Sequence, residues 1–398
     1  MDLTSRVQMT GPLAPYRDVL RTELLARGYR PLSAENLIRV TAHLSRWLEA
    51  AGRPPSDLTA ARIEAFLQHR RAVGYTGWRT AKGLVAILEI LRHLRVIPHA
   101  EPAPVDDTPA HQLLRGFERH LVEERGNHPS TAAGYRRLVE TFVEMLEWPA
   151  LATLSAEAVS RFIRQEARST GPGYLKLKVT AIRAFLRYLH VHGHGQDLSA
   201  AVPAVAGHRL SGLPKAIPEE SVRRIEASCD RTDAAGRRAY AIVLLLSRLG
   251  LRATEIAALT LEDVHWGCGE IVIRGKGSEG VLPLSQEVGE ALVDYLKHGR
   301  RRATSRRFFL PLKAPHRAIS SGSVTMIFRH ACRRAGLAPM GAHRLRHTAA
   351  TVMLRRGASL PEIGQVLRHT SLVTTAIYAK VDLQALHPLA RPWPGGAA

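Results

Sequence analysis

The chain has 398 residues, 45% hydrophobic and 23% charged, a composition that can bury a large core and excludes wholesale disorder. At roughly 150 residues per domain it predicts two or three domains. Against 35 Asp and Glu stand 56 Lys and Arg, a net charge of +21, so the first partner to consider is a polyanion, nucleic acid above all.

The first two hundred residues read as a duplicated helical unit, roughly 12–98 and 110–196. DLTAARIEAFL from Asp57 aligns with TLSAEAVSRFI from Thr153, pairing Leu58 with Leu154, Ile63 with Val159 and Phe66 with Phe162. AILEILRHLRV from Ala86 aligns with AIRAFLRYLHV from Ala181, pairing Ile87 with Ile182, Leu91 with Leu186 and Leu94 with Leu189. Upstream, Leu44 and Leu48 match Phe142 and Leu146. Three blocks at nearly constant offset point to a repeat. Within each copy, apolar residues recur at three- and four-residue steps, as in Val40, Leu44, Trp47 and Leu48, which predicts amphipathic helices. Ser33, Thr59 and Ser155 stand where helices should begin. The segment Pro98–Pro109 is expected to link the copies, and a Gly- and Pro-containing break, Gly193–Pro218, to end them.

Helices are then predicted over Glu219–Ser228 and Ala239–Leu249. The period changes in GEIVIRGKGSEGVLPLS, Gly269–Ser285, where β-branched alternation around a Gly-Lys-Gly turn signals a β-hairpin. Helices resume over Gln286–Lys297, Ser323–Ala335, His343–Arg356, Leu360–Leu367 and Leu372–Tyr378. The expected class is mainly α with a small antiparallel sheet. Cys229, Cys268 and Cys332 are isolated and form no Cys-x-x-Cys pair, which argues against a disulfide framework or zinc module. The longest apolar run, Ala241–Leu246, is far short of a membrane helix, and Met1–Gly11 lacks a signal-peptide layout. A cytoplasmic protein without membrane contact is expected.

Only eight of the basic residues are Lys, and residues 301–398 hold +14 of the excess charge, with Glu362 and Asp382 as their only carboxylates. A high-GC genome raises Arg content, but it does not remove carboxylates locally. Two-metal phosphoryl chemistry needs clustered carboxylates. The alternative is a metal-free reaction, in which a side-chain hydroxyl attacks while Arg, Lys and His neutralise charge on phosphorus. Residues for it are present: Arg252 in SRLGLRATEIAAL, Lys276 in the hairpin turn, His343 and Arg346 in HRLRHT, His369 in LRHTS and Tyr378 in TTAIYAKVD. His343 and Arg346, at i and i+3, share a helical face.

This ordered set, with its flanking sequences, resembles the catalytic domain of the tyrosine recombinases, the phage-integrase-type enzymes, over about residues 213–385. The resemblance implies a site-specific DNA recombinase or integrase, transposase-like, in which Tyr378 forms a 3′-phosphotyrosyl intermediate without metal or other cofactor. Arg252 and Arg346 would clamp the phosphate, His343 would assist proton removal from Tyr378, Lys276 would protonate the leaving 5′-oxygen and His369 would donate a hydrogen bond. His347 reads as structural. The resemblance also departs from the family at Gly280, where a basic residue is usual.

The implied organisation is a helical (SAM-like) unit at 12–98, a core-binding unit at 110–196, a linker at 197–216 and the α+β catalytic domain at 217–398 with its tail. Implied partners are double-stranded DNA, sister subunits in a tetramer joined by a Holliday junction, and accessory recombinases or DNA-bending proteins. Arg136, Arg137, Lys176 and Lys178 are candidate phosphate contacts. Leu383, Leu386, Leu389 and Trp393 make the tail apolar enough to dock on a neighbouring subunit. Two other readings remain, a type IB topoisomerase-like enzyme and a non-catalytic DNA-binding regulator that uses residues 360–378 as a helix-turn-helix.

Overall fold

The computed structural model describes residues 8–99, 108–145, 154–206, 212–275, 278–369 and 371–382. Lys276, the tail positions Leu383, Leu386, Leu389 and Trp393, the repeat position Leu146 and most of the expected 98–109 link lie outside the described residues. The described parts of 1–99 and 212–398 form one compact unit, and the described part of 100–211 forms a second.

The first helical stretch comprises α1 (Arg17–Ala26), α2 (Pro31–Ala50), α3 (Ala60–Ala72) and α4 (Ala81–His93). The second comprises α5 (Pro109–Glu123), α6 (Pro129–Met145), α7 (Ala156–Ser169) and α8 (Pro172–Val191). The aligned apolar positions are core positions: Leu44, Ile63, Phe66, Ile87 and Leu91 are buried in one copy, and Phe142, Val159, Phe162, Ile182 and Leu186 in the other. Thr59 and Ser155 cap α3 and α7, accepting hydrogen bonds from the Arg62 and Ala158 N–H groups. Ser33 is not a cap. Pro31 opens α2 instead, since its fixed φ and missing N–H suit a first helical position.

The first copy packs within its unit on the segment that carries Arg317. Glu89 on α4 accepts from Arg317 at 2.6 Å and from Arg27 at 3.4 Å. Gly28, at φ +84°, lies under the His316 ring, where a Cβ would come within 2.3 Å.

Residues from 212 onward build α9 (Glu219–Ala227), α10 (Ala234–Ser247), α11 (Ala253–Ala258), β1 (Val264–His265), β2 (Glu270–Gly275), β3 (Ser278–Pro283), α12 (Gln286–Asp294), α13 (Ser321–Arg334), α14 (His343–Arg355), α15 (Leu360–Val366) and α16 (Leu372–Thr375). A 3-10 turn, Ala376–Val381, follows α16. The central helix is α10, whose Ala241–Leu246 stretch is buried all round. It begins five residues earlier than its apolar run suggests, because Asp233 caps it by accepting from the Gly236 N–H at 2.6 Å. The sheet is antiparallel in the order β1-β2-β3, with Ile271 opposite Leu282 and Arg274 opposite Glu279. Mainly α with a small sheet is the observed class. Among the described residues no helix is long and apolar enough to cross a membrane.

Candidate active site

The site starts at the turn between α10 and α11. Gly250 has φ +60°, and a Cβ there would meet Leu367 at 2.5 Å, so glycine lets two chain segments touch. The turn delivers Arg252 as the residue preceding α11. Its backbone N–H and its guanidinium each donate to Glu255 at 2.7 Å. Glu255 is buried. Burial alone would raise its carboxyl, but the Arg252 N–H and the Arg368 and Arg252 charges outweigh that and hold it below the ordinary carboxylate range.

Arg368 reaches the same carboxylate at 3.0 Å, and its backbone is unusual. α15 closes with the Arg368 N–H on the Gln365 carbonyl and the His369 N–H on the Gly364 carbonyl, the pattern of a Schellman cap. The position that favours glycine is Arg368 itself, at φ +53°. A left-handed non-glycine residue costs roughly 1–2 kcal/mol, and here that conformation presents one guanidinium to Glu255 and the next side chain, His369, to Thr375 at 2.7 Å. The Arg368 stem also covers Gly280 on β3, where a Cβ would meet Cδ at 2.9 Å. That contact gives the missing basic side chain at 280 a structural reason.

Among the described residues Arg346 is the least exposed cation, at 1%. It donates to the Gly250 carbonyl at 2.7 Å and to the Leu367 carbonyl. Burial, then repulsion from Arg252, lowers its guanidinium to about 10. Arg252, Arg346 and Arg368 thus face one carboxylate, so two positive charges among these four groups lack a partner of opposite sign.

Tyr378 lies in a small core with Ala350, Leu354, Ile363 and Leu367, 2% exposed. Its hydroxyl is 3.0 Å from His347 Nδ1. In this arrangement the ring of His347, read from the sequence as structural, touches Tyr378, while His343 stacks edge-on against His347 at 4.8 Å. Burial, then the His343 and Arg346 charges, lowers His347 to about 4. Burial with Arg346 and Arg252 lowers His369 to about 4 as well, and His343 is shifted down for the same reasons. Burial raises the Tyr378 hydroxyl, against the pull of Arg346. At neutral pH a neutral His347 with Nδ1 bare can accept from that hydroxyl.

Arg252, His343, Arg346, His369 and Tyr378 are thus gathered by three packed segments, and Lys276 lies outside the described residues. Glu255, Arg368 and His347 are additions. Two had a signal: Glu255 follows Arg252 at capping-box spacing, and His347 shares the α14 face of His343 and Arg346 at i, i+3, i+4.

The phage integrase family matches residues 215–385. "Putative integrase/recombinase y4rA" of Sinorhizobium fredii is 40% identical over 396 residues, covering 97% of this chain and 96% of that protein. The chain belongs to the tyrosine recombinase (phage integrase) family. Tyrosine recombinase XerD of Listeria monocytogenes is 28% identical over 281 residues, covering 68% of this recombinase-family chain and 94% of its own. Among solved structures, XerH site-specific recombinase bound to its palindromic difH substrate shares the fold, with TM-score 0.57, 18% identity and coverage of 83% and 95%. A lambda integrase tetramer bound to a Holliday junction does so with TM-score 0.53, 16% identity and coverage of 72% and 87%. Enzymes of this family cut and rejoin DNA.

The four candidate DNA contacts all lie in the second helical copy, and they divide. Arg137 is exposed. Lys176 is half-buried on α8. Arg136 is held by Glu118 at 2.9 Å and Glu140 at 3.8 Å. Lys178 is buried, paired with Glu166 at 2.8 Å and seated over the Phe162 ring at 5.0 Å. Its charge is already matched inside the fold.

Proposed function

We propose that this chain is a site-specific DNA recombinase of the integrase or transposase kind, with Tyr378 as nucleophile. The observation that carries the reading is a tyrosine hydroxyl bonded to a neutral imidazole, beside a cluster of guanidiniums short of carboxylates. A phosphodiester supplies the missing negative charge. Arg252 and Arg346 bind its non-bridging oxygens, with His343 and His369 donating once a phosphate has favoured their protonated forms.

The Tyr378 oxygen attacks phosphorus as its proton passes to His347, and the bond to the 5′-oxygen breaks. Lys276 supplies the proton to that leaving oxygen. The product is a 3′-phosphotyrosyl enzyme and a free 5′-hydroxyl. When a 5′-hydroxyl from a partner duplex attacks the phosphotyrosine, the Tyr378 oxygen leaves and regains its proton. No energy source is consumed, because each step exchanges one phosphodiester for another. Four subunits on two duplexes complete both exchanges through a Holliday junction, with the helical copies extending the DNA contact. Since Tyr378 is sequestered at rest, a phosphate can reach it only after the Leu372–Val381 segment shifts, a segment held by a small core and by the hydrogen bonds of Tyr378 to His347 and of Thr375 to His369.

The test uses the full chain with a pool of nicked, randomised duplexes carrying a label. The reading expects a denaturation-resistant protein–DNA adduct that is lost in Tyr378→Phe. No adduct from any member of a pool shown to bind the protein would overturn it.

A further inference from the structure

Away from this site, three potential ligands meet at one end of the second helical copy. We propose that His120, Glu124 and His192 bind a divalent transition-metal ion of the zinc type, independently of the proposed recombinase activity. A ligand atom from each lies within 4.8 Å of the others.

The placement follows from two helix ends. Glu124 is the C-cap of α5, its N–H bonded to the His120 carbonyl, and His192 is the C-cap of α8, its N–H bonded to the Tyr188 carbonyl. A helix C-terminus carries a partial negative charge that favours cations, and here helices of 15 and 20 residues end at the same place. These helix ends add to the Glu124 carboxylate.

The geometry also leaves a nitrogen in need of a partner. His120 Nδ1 is shielded from solvent and lies at ion-pair distance, 2.8 Å, from a Glu124 oxygen, yet it makes no hydrogen bond. Burying a polar atom in that state is costly. A metal ion between the nitrogen and the carboxylate satisfies both.

The His192 ring stands nearly perpendicular to His120, with centroids 5.4 Å apart, and Tyr188 walls the group, 5.3 Å from His120 and 4.5 Å from His192. Zinc takes nitrogen and oxygen ligands at about 2.0–2.2 Å, placing tetrahedral ligand atoms about 3.3 Å apart. Exposed His192 and Glu124 need only side-chain rotation to close on that spacing, and water can fill the fourth position. Two imidazoles and a carboxylate suit zinc-class ions over magnesium or calcium. The ion would fasten the end of α8 to the end of α5.

The rival is the tract His190-x-His192-x-His194 acting alone as a flexible chelator. His190 already uses its Nδ1 on the Gly195 carbonyl at 3.1 Å. The experiment takes the full-length chain, stripped by chelator, and titrates it with Zn²⁺ against a chromophoric competitor. Co²⁺ serves as a spectroscopic probe of coordination. With 19 histidines in the chain, the informative equivalent is the one lost in variants. One tight equivalent is expected, weakened at least about 10-fold in His192→Gln and Glu124→Gln and also in His120→Gln, but unchanged in His190→Gln. The exposed positions 124 and 192 keep the test open if His120→Gln fails to fold. Absence of a tight equivalent, or binding that survives Glu124→Gln but is lost in His190→Gln, would overturn the proposal.

Discussion

Two buried cations in this molecule are balanced in opposite ways. Lys178, in the second helical copy, has a carboxylate at 2.8 Å and an aromatic face beneath it, so its charge is settled within the fold. Arg346 is buried more deeply, yet among the described residues no carboxylate contacts it, and its partners are two backbone carbonyls. A buried charge without a counter-ion is costly. The contrast separates a cation that holds the protein together from one kept available to an anion from outside.

The sharpest way to break that contrast is to remove each charge in turn. Arg346→Met should lower strand cleavage about 10²- to 10³-fold, the usual effect of deleting one donor to a developing oxyanion. Its melting temperature should scarcely change, because lost hydrogen bonds to two carbonyls are offset by relief of repulsion with Arg252 and Arg368. A single-turnover cleavage assay beside a thermal melt reads both quantities. A large loss of stability would place Arg346 in the same class as Lys178.

His347→Gln should reduce cleavage by about 10²-fold, a general-base effect, with DNA affinity unchanged in a gel-shift titration. Equal loss in His343→Gln but none in His347→Gln would reassign the proton acceptor. Lys178→Met should do the reverse of Arg346→Met: it strands Glu166 and costs roughly 2 kcal/mol, less than for a fully buried pair because Glu166 is partly exposed. Urea unfolding measures this, and cleavage by the folded fraction should match the parent.

The smallest effect is in pH. His347 and His369 fall from the ordinary 6.5 to about 4 in the folded state. The unfolded chain therefore binds protons first as pH drops, so their contribution is fully present above about 6.5 and is lost progressively down to about 4. Melts across this range should show a slope that flattens in the double variant His347→Gln/His369→Gln. Bound DNA should shift the slope toward higher stability, as phosphate favours the charged rings.

How far the molecule was legible in its sequence follows the same division. Repeated apolar positions such as Phe66 and Phe162 report helical cores directly, because helical periodicity is a local property. His343 and Arg346 were legible because residues at i and i+3 of one helix share a face. Arg368 was not, since its role rests on a left-handed backbone and on a carboxylate 113 positions earlier in the chain. The pairing of Lys178 was not legible for a related reason: an amphipathic pattern locates the buried face, but a charge at its margin gives no sign of whether a partner such as Glu166 waits there.

The central claim is that the anion missing from the Arg346 cluster is a DNA phosphate delivered to Tyr378. The most direct measurement is mass spectrometry of the peptide recovered from the covalent adduct after nuclease and protease digestion. The account predicts a nucleotide joined through its 3′-phosphate to Tyr378. Attachment to any other residue, or an adduct that persists in Tyr378→Phe, would contradict it.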